Sequence, residues 1–224
     1  MTGNSQLKIG VVLSYITTGV NMLIQLLYTP LMIRFLGQSE YGLYTLVGSF
    51  VSYLSLFSLG FTSAYLRFYS ARKVKNDQAG IAQLNGMFLT VFGVMSLAAM
   101  MCGMILAEFP QQIFGNKLTA TEQQTAQTLM RILVVNIALT FPSGLLDSII
   151  SAHEKFLFQR LVTLIGVICN PFLALPLLIM GYGSVAIVSV TTTITVAKLV
   201  VNLAYCFKIL HIEFNFTRFD FHIL

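Results

Sequence analysis

Six apolar stretches, at 9–33, 41–66, 83–107, 127–152, 157–180 and 184–210, alternate with short polar connections along the 224-residue chain. Each holds roughly 24–27 residues, where about 20 suffice to cross a 30 Å hydrocarbon core. A helix buried in a soluble domain has no need to stay apolar for that length. The pattern specifies an all-α polytopic membrane protein with six transmembrane helices.

The basic residues give the orientation. Lys8, Arg67, Arg72, Lys73, Lys75, Lys155, Arg160, Lys208 and Arg218 fall on one side of the expected membrane, against Arg34, Lys117 and Arg131 on the other, with Lys198 inside a span. Lys and Arg concentrate in cytoplasmic connections, so both termini are expected in the cytoplasm. The connections at 67–80 and 153–160 are expected inside, and the long 108–126 connection outside.

Composition narrows the function. Hydrophobic residues make up 56% of the chain and charged ones 9%, too apolar for a solvent-facing domain of this size. The net charge of +5 lies beside the spans, where it sets topology and meets anionic lipid headgroups; no nucleic-acid partner is expected. The first span is longer than the apolar region of a cleavable signal and further spans follow it. Cys102, Cys169 and Cys206 sit inside apolar stretches without pair spacing, as small buried hydrophobes. No phosphate-binding glycine loop, dinucleotide fingerprint or metal-spaced Cys/His pair is present. His153 and Glu154 lack the second histidine of a zinc helix. No enzymatic activity and no cofactor are expected.

Polar residues inside the spans are the candidates for function, because a polar group in hydrocarbon needs a partner, a cavity or water. Span one carries Asn21 and Gln25 before Pro30, with Gly37 placed to end that helix and Ser39 to cap the next. Span four carries Arg131, Asn136, Pro142 and Asp147. Span five carries Asn170, Pro171 and Pro176, and spans one and five thus share an Asn followed by Pro, a pattern of bent helices along a pathway. Span six sets Thr191, Thr192, Thr193, Thr195 and Asn202 around Lys198.

Lys198 is the sharpest of these. It lies roughly 13 Å deep at 1.5 Å per residue, and a charge there costs about 2.5–3.5 kcal/mol even on lenient insertion scales. Two readings stand: a cation in a wet lumen that binds an anion, or a structural residue that pairs with Asp147 or snorkels through a thinned bilayer. Arg131 near the outer edge and Asp147 near the inner end admit topological or helix-end roles as well as substrate contact and ion coupling.

Three stretches carry a family resemblance. The first is 29–46, with Pro30, Arg34, Gly37, Tyr41, Gly42 and Tyr44; the second is 60–70, with Gly60, Tyr65 and Arg67; the third is 153–160 running on to Asn170, Pro171, Gly181 and Gly183. In this order they resemble the oligosaccharide flippase branch of the multidrug/oligosaccharidyl-lipid/polysaccharide (MOP) exporter superfamily. The resemblance implies one lobe of a twelve-to-fourteen-helix transporter in the bacterial cytoplasmic membrane. Its implied cargo is a polyprenyl-pyrophosphate-linked oligosaccharide, an O-antigen or capsule repeat unit, moved from the inner to the outer leaflet. Residues 1–213 would be the lobe, and 214–224 a truncated interlobe linker, in a shortened reading frame or half of a split transporter. Lys198 and Arg131 would face the pyrophosphate, and Asn21, Gln25, Asn136, Asn170 and Asn202 the sugars, with Asp147 coupling an ion. Expected partners are the lipid-linked oligosaccharide, membrane lipids, and a second transporter half or a polysaccharide polymerase. A multidrug or cation antiporter lobe, which calls for acidic lumen residues, and a non-transporting scaffold of polysaccharide assembly are the alternatives.

Overall fold

Backbone groups in hydrocarbon must satisfy their own hydrogen bonds, and a helix does so within one segment. A computed structural model describes residues 3–54, 60–115 and 118–215, with side chains from Val11 onward. The described residues form seven helices and no strand: α1 (Gly3–Ser52), α2 (Phe61–Val74), α3 (Gln78–Ala107), α4 (Pro110–Phe114), α5 (Ala120–Ala152), α6 (Phe156–Ile179) and α7 (Gly183–Lys208). Five of them, α1, α3, α5, α6 and α7, are long and apolar enough to cross a membrane.

α1 has 50 residues, about 75 Å of helix at 1.5 Å per residue, far more than one crossing needs. Gly37 divides it. Its φ of 76° and ψ of 168° are not helical and suit a residue without Cβ. The packing of the two arms shows that the chain reverses there. Tyr28 and Met32 pack with Leu178 and Ile187, Glu40 meets Ser184 at the start of α7, and Leu54 packs beside Gly103 and Val134. Both arms therefore lead from Gly37 into the lobe, and α1 supplies two passes.

Three expectations need correction. The span at 41–66 is not one helix: the second arm of α1 stops at Ser52, and α2 starts at Phe61 behind Gly60, whose φ is 90°. The 67–80 connection is mostly helix, with α2 running to Val74 and α3 starting at Gln78. Basic side chains sustain a helix beyond the apolar stretch, and Arg72 and Lys73 in its last turn suit the negative helix end. The Asp77 carboxylate then caps α3 by accepting from the Gly80 amide at 2.9 Å, while the Arg72 guanidinium donates to the Gly80 carbonyl. Third, the 108–126 connection holds α4 and the first turns of α5. Thr119 and Glu122 form a capping box there, so α5 begins seven residues before the apolar stretch that announced it.

α5 is the central helix, packed on α3 and on α7, while α6 lies between α1 and α7. Two larger apolar clusters fill the lobe beside the small one of Met32, Leu178 and Ile187. Tyr65, Phe88, Phe92, Leu145 and Ile149 pack toward the basic end, the end of Arg72 and Lys208. Val47, Val51, Leu129, Met130 and Val134 pack toward the Gly37 end. Pro142 has no N–H to give Ala138, and the Ser96 hydroxyl of α3 donates to that carbonyl instead, at 2.6 Å. Pro171 and Pro176 lie within α6, which continues through both as one helix.

After α7 the chain turns at His211, with φ 48°, and lays a strap along the start of α3. The Asn215 amide donates to the Ala82 carbonyl at 2.9 Å, and the Asn85 side chain donates to the Glu213 carbonyl at 3.2 Å. Asn85, only 2% exposed, also accepts from the Tyr65 hydroxyl at 2.7 Å. Of the expected linker at 214–224, Phe214 and Asn215 thus belong to the lobe, and 216–224 lie outside the described residues.

Candidate functional site

The polar residues of α7 are anchored before they can face anything else. Thr191 and Thr195 each donate to the carbonyl four residues back, as threonines in membrane helices do. Their hydroxyl oxygens then accept from neighbouring helices: Thr191 from Asn170 of α6 at 3.0 Å, Thr195 from Asn136 of α5 at 2.9 Å. One turn further, the Lys198 ammonium donates to Asp147 Oδ2 at 2.7 Å, and the Asn202 amide to Asp147 Oδ1 at 2.9 Å. α7 is thereby tied at three levels, and Lys198 has the partner that one of its two readings named. Both members are mostly buried, with side chains 29% and 22% exposed.

A cavity of about 810 Å³ opens between the first arm of α1, α6 and α7. Three helical series build its walls: Asn21, Gln25 and Tyr28 from α1; Thr163, Gly166 and Asn170 from α6; Thr191, Ile194 and Lys198 from α7. These spacings of three and four residues put each series on one helix face. α6 and α7 lie close at Gly166, where a Cβ would meet Ile194 at 3.4 Å, an ordinary contact distance. Tyr41 and Tyr44, just beyond Gly37, line it too.

Of the residues singled out from sequence, Asn21, Gln25, Asn170 and Lys198 share this cavity. Gln25 donates to Asn21 at 3.2 Å. Asn136, Asn202 and Asp147 stand behind it, in the contacts between α5 and α7. Arg131 is elsewhere: its guanidinium pairs with Glu108 at 2.7 Å, and Gln127 donates to the other Glu108 oxygen at 3.0 Å. Glu108 and Gln127, but not Arg131, line a smaller polar cleft at the α4 end of the lobe. The tyrosines were missed. Tyr28 was legible as the third member of the Asn21, Gln25 face, three residues on from Gln25; its hydroxyl is buried without a hydrogen-bond partner among the described residues.

The Gly37 end is fastened by two adjacent side chains. Ser39 donates to Glu122 Oε1 at 2.5 Å, instead of capping its own helix. Glu40 accepts from both the amide and the hydroxyl of Ser184, at 2.6 and 2.7 Å, placing a carboxylate on the positive end of α7. Hydrogen bonds from Ser39, then Thr119, lower the Glu122 carboxyl below its ordinary 4.5.

No protein-family model matches the sequence, and no curated protein does. Solved structures do. An outward-facing multidrug resistance MATE family transporter of the MOP superfamily aligns with a TM-score of 0.72 at 15% identity, over 96% of this chain and 49% of that one. A MATE in complex with MaD3S aligns at 0.74 and 16%, over 96% and 50%. A MOP superfamily transporter from Pyrococcus furiosus, described by a binding pocket of reverse polarity and a different function, aligns at 0.70 and 14%, over 96% and 49%. The chain has the fold of one half of a MATE transporter. It spans about half the length of each structure it matches.

Proposed function

We propose that this chain is one lobe of a membrane transporter of the MOP superfamily, and that the cavity between α1, α6 and α7 is its share of the cargo pathway. A second lobe, facing this cavity, completes the pathway, and both described ends of the lobe lie on the cytoplasmic side. The fold supports the transporter reading. The cargo it favours is an amphipathic organic solute, as for a multidrug exporter.

Charge carries that choice. Lys198 is the one ionisable cation among the residues that line the cavity, and Asp147 already neutralises it at 2.7 Å. The remaining walls are tyrosine, aliphatic and neutral amide or hydroxyl groups. A pyrophosphate brought here would meet no uncompensated cation, and a buried charge without one is costly. An apolar solute with a few hydrogen-bonding groups fits a wall of this kind.

A lipid-linked oligosaccharide is the second reading, because Lys198 rather than Asp147 faces the cavity and the stretches 29–46, 60–70 and 153–160 resemble flippases. One experiment separates the two. Ala197 lines the cavity and is exposed within it, so Ala197→Phe narrows the cavity while leaving the packed core intact. Cells producing the full protein should lose efflux of lipophilic dyes with this change while membrane abundance holds. Unchanged efflux, with loss of lipid-linked oligosaccharide transfer in reconstituted vesicles, would reverse the order of the two cargoes.

A further inference from the structure

Asp147 is the one carboxylate that the described residues place within a span. Glu40, Asp77, Glu108, Glu122, Glu154 and Glu213 all stand at turns, at helix ends or after α7. A lone carboxylate at that depth is the hard oxygen ligand with which a membrane protein holds a small cation. Here its two oxygens are filled by the chain itself, one by the Lys198 ammonium and one by the Asn202 amide.

Asn202 supplies the second observation. It is fully buried, and its Oδ1 has no hydrogen-bond partner among the described residues. Buried polar atoms are nearly always paired, so an orphan asks for a reason. The amide has turned its donor to Asp147, the arrangement a carboxylate prefers while an ammonium satisfies the site's need for positive charge. With the ammonium removed, a rotation of the amide exchanges its nitrogen and oxygen and adds a second oxygen ligand beside the carboxylate.

We propose that Asp147 and Asn202 form a cation site whose resident occupant is the Lys198 side chain, a tethered counter-ion in place of an exchangeable one. The ammonium brings the charge and the hydrogen bond of a bound cation without leaving the lobe. Transport by the wild-type chain is then indifferent to sodium. That consequence rests on the transporter reading; the site itself does not, so the test reads binding.

The purified full chain is unfolded thermally in sodium chloride and in choline chloride at equal ionic strength. The wild type should melt alike in both salts. Lys198→Met and Lys198→Gln, which keep the stem and vacate the charge, should melt higher in sodium, by about 3–6 °C at ten times its dissociation constant. Adding Asp147→Asn to either should abolish that response in a protein that still folds, because both charges are gone. A sodium shift in the wild type, or folded Lys198 variants blind to sodium, would overturn the proposal. Failure of dye efflux and of oligosaccharide transfer alike would remove the transporter reading and leave the sodium comparison standing.

Discussion

Replacing Gly86 by alanine tests the strap that closes the basic end. A Cβ on Gly86 would stand 2.9 Å from the Asn215 carbonyl carbon and closer still to its oxygen. The obstacle is backbone, so the strap itself must lift. Lifting it breaks the Asn215–Ala82 hydrogen bond, about 0.5–1.5 kcal/mol, and strands the Asn85 amide in a site 2% exposed, about 1–3 kcal/mol. It also exposes Ile212, now 9% exposed, which forfeits about 1.5–3 kcal/mol of apolar burial. Alanine returns about 0.5–1 kcal/mol through helix propensity. Even the lower figures leave a net loss of about 2 kcal/mol, or roughly 4–8 °C in melting temperature at this chain length. Gly93, on the same helix with nothing within 4 Å of its would-be Cβ, is the control; Gly93→Ala should melt at or slightly above the wild type. Equal melting of the two variants, read by thermal unfolding of purified protein, would refute the docked strap.

In a double-mutant cycle on abundance and melting, Lys198→Ala alone should destabilise by about 3 kcal/mol, the lower end for a stranded buried charge. Asp147→Ala added to it should restore most of the loss. Because hydrogen bonds hold the Glu122 carboxyl below its ordinary 4.5, its contribution is complete above that value and disappears as pH falls through the lowered one. Glu122→Gln should therefore flatten the acid limb of the unfolding profile, lowering stability at neutral pH and matching the wild type in acid. In a background without Cys102, Cys169 and Cys206, an impermeant maleimide should label Gln112→Cys from outside the cell and spare Lys75→Cys, both at exposed positions. The opposite labelling would invert the orientation drawn from the basic residues.

The spans were legible because hydrocarbon thickness sets a length that a composition count can find. Their ends were less so. The 67–80 connection looked like a loop because Arg72, Lys73 and Lys75 are charged, but charge ends the membrane, not the helix, and α2 carries on to Val74. The start of α5 was hidden for the converse reason: Thr119 and Glu122 cap it in water, ahead of the apolar run. At the site, Lys198 announced itself as a charge out of place, and Asp147 stood as one possible partner 51 residues away. Sequence could name that pair but not choose it, since the choice depends on which faces of α5 and α7 meet. The same limit hid the pairing of Arg131 with Glu108, which removes it from the cavity. Ser39 was read as a local cap; its acceptor, Glu122, lies 83 residues on.

The strap also imposes an order of assembly. Residues 212–215 are synthesised after every span described here, yet they occupy the groove that α2 and α3 form near Tyr65, Asn85 and Gly86. During insertion the earlier hairpin must wait with the Asn85 amide unmatched on one side, satisfied by water or headgroups, until α7 is in place and the chain behind it has emerged. The last-made segment of the lobe is thus the one that completes its second and third passes. An error in placing α7 would be recorded as an open groove at the basic end of the lobe, between α2 and α3.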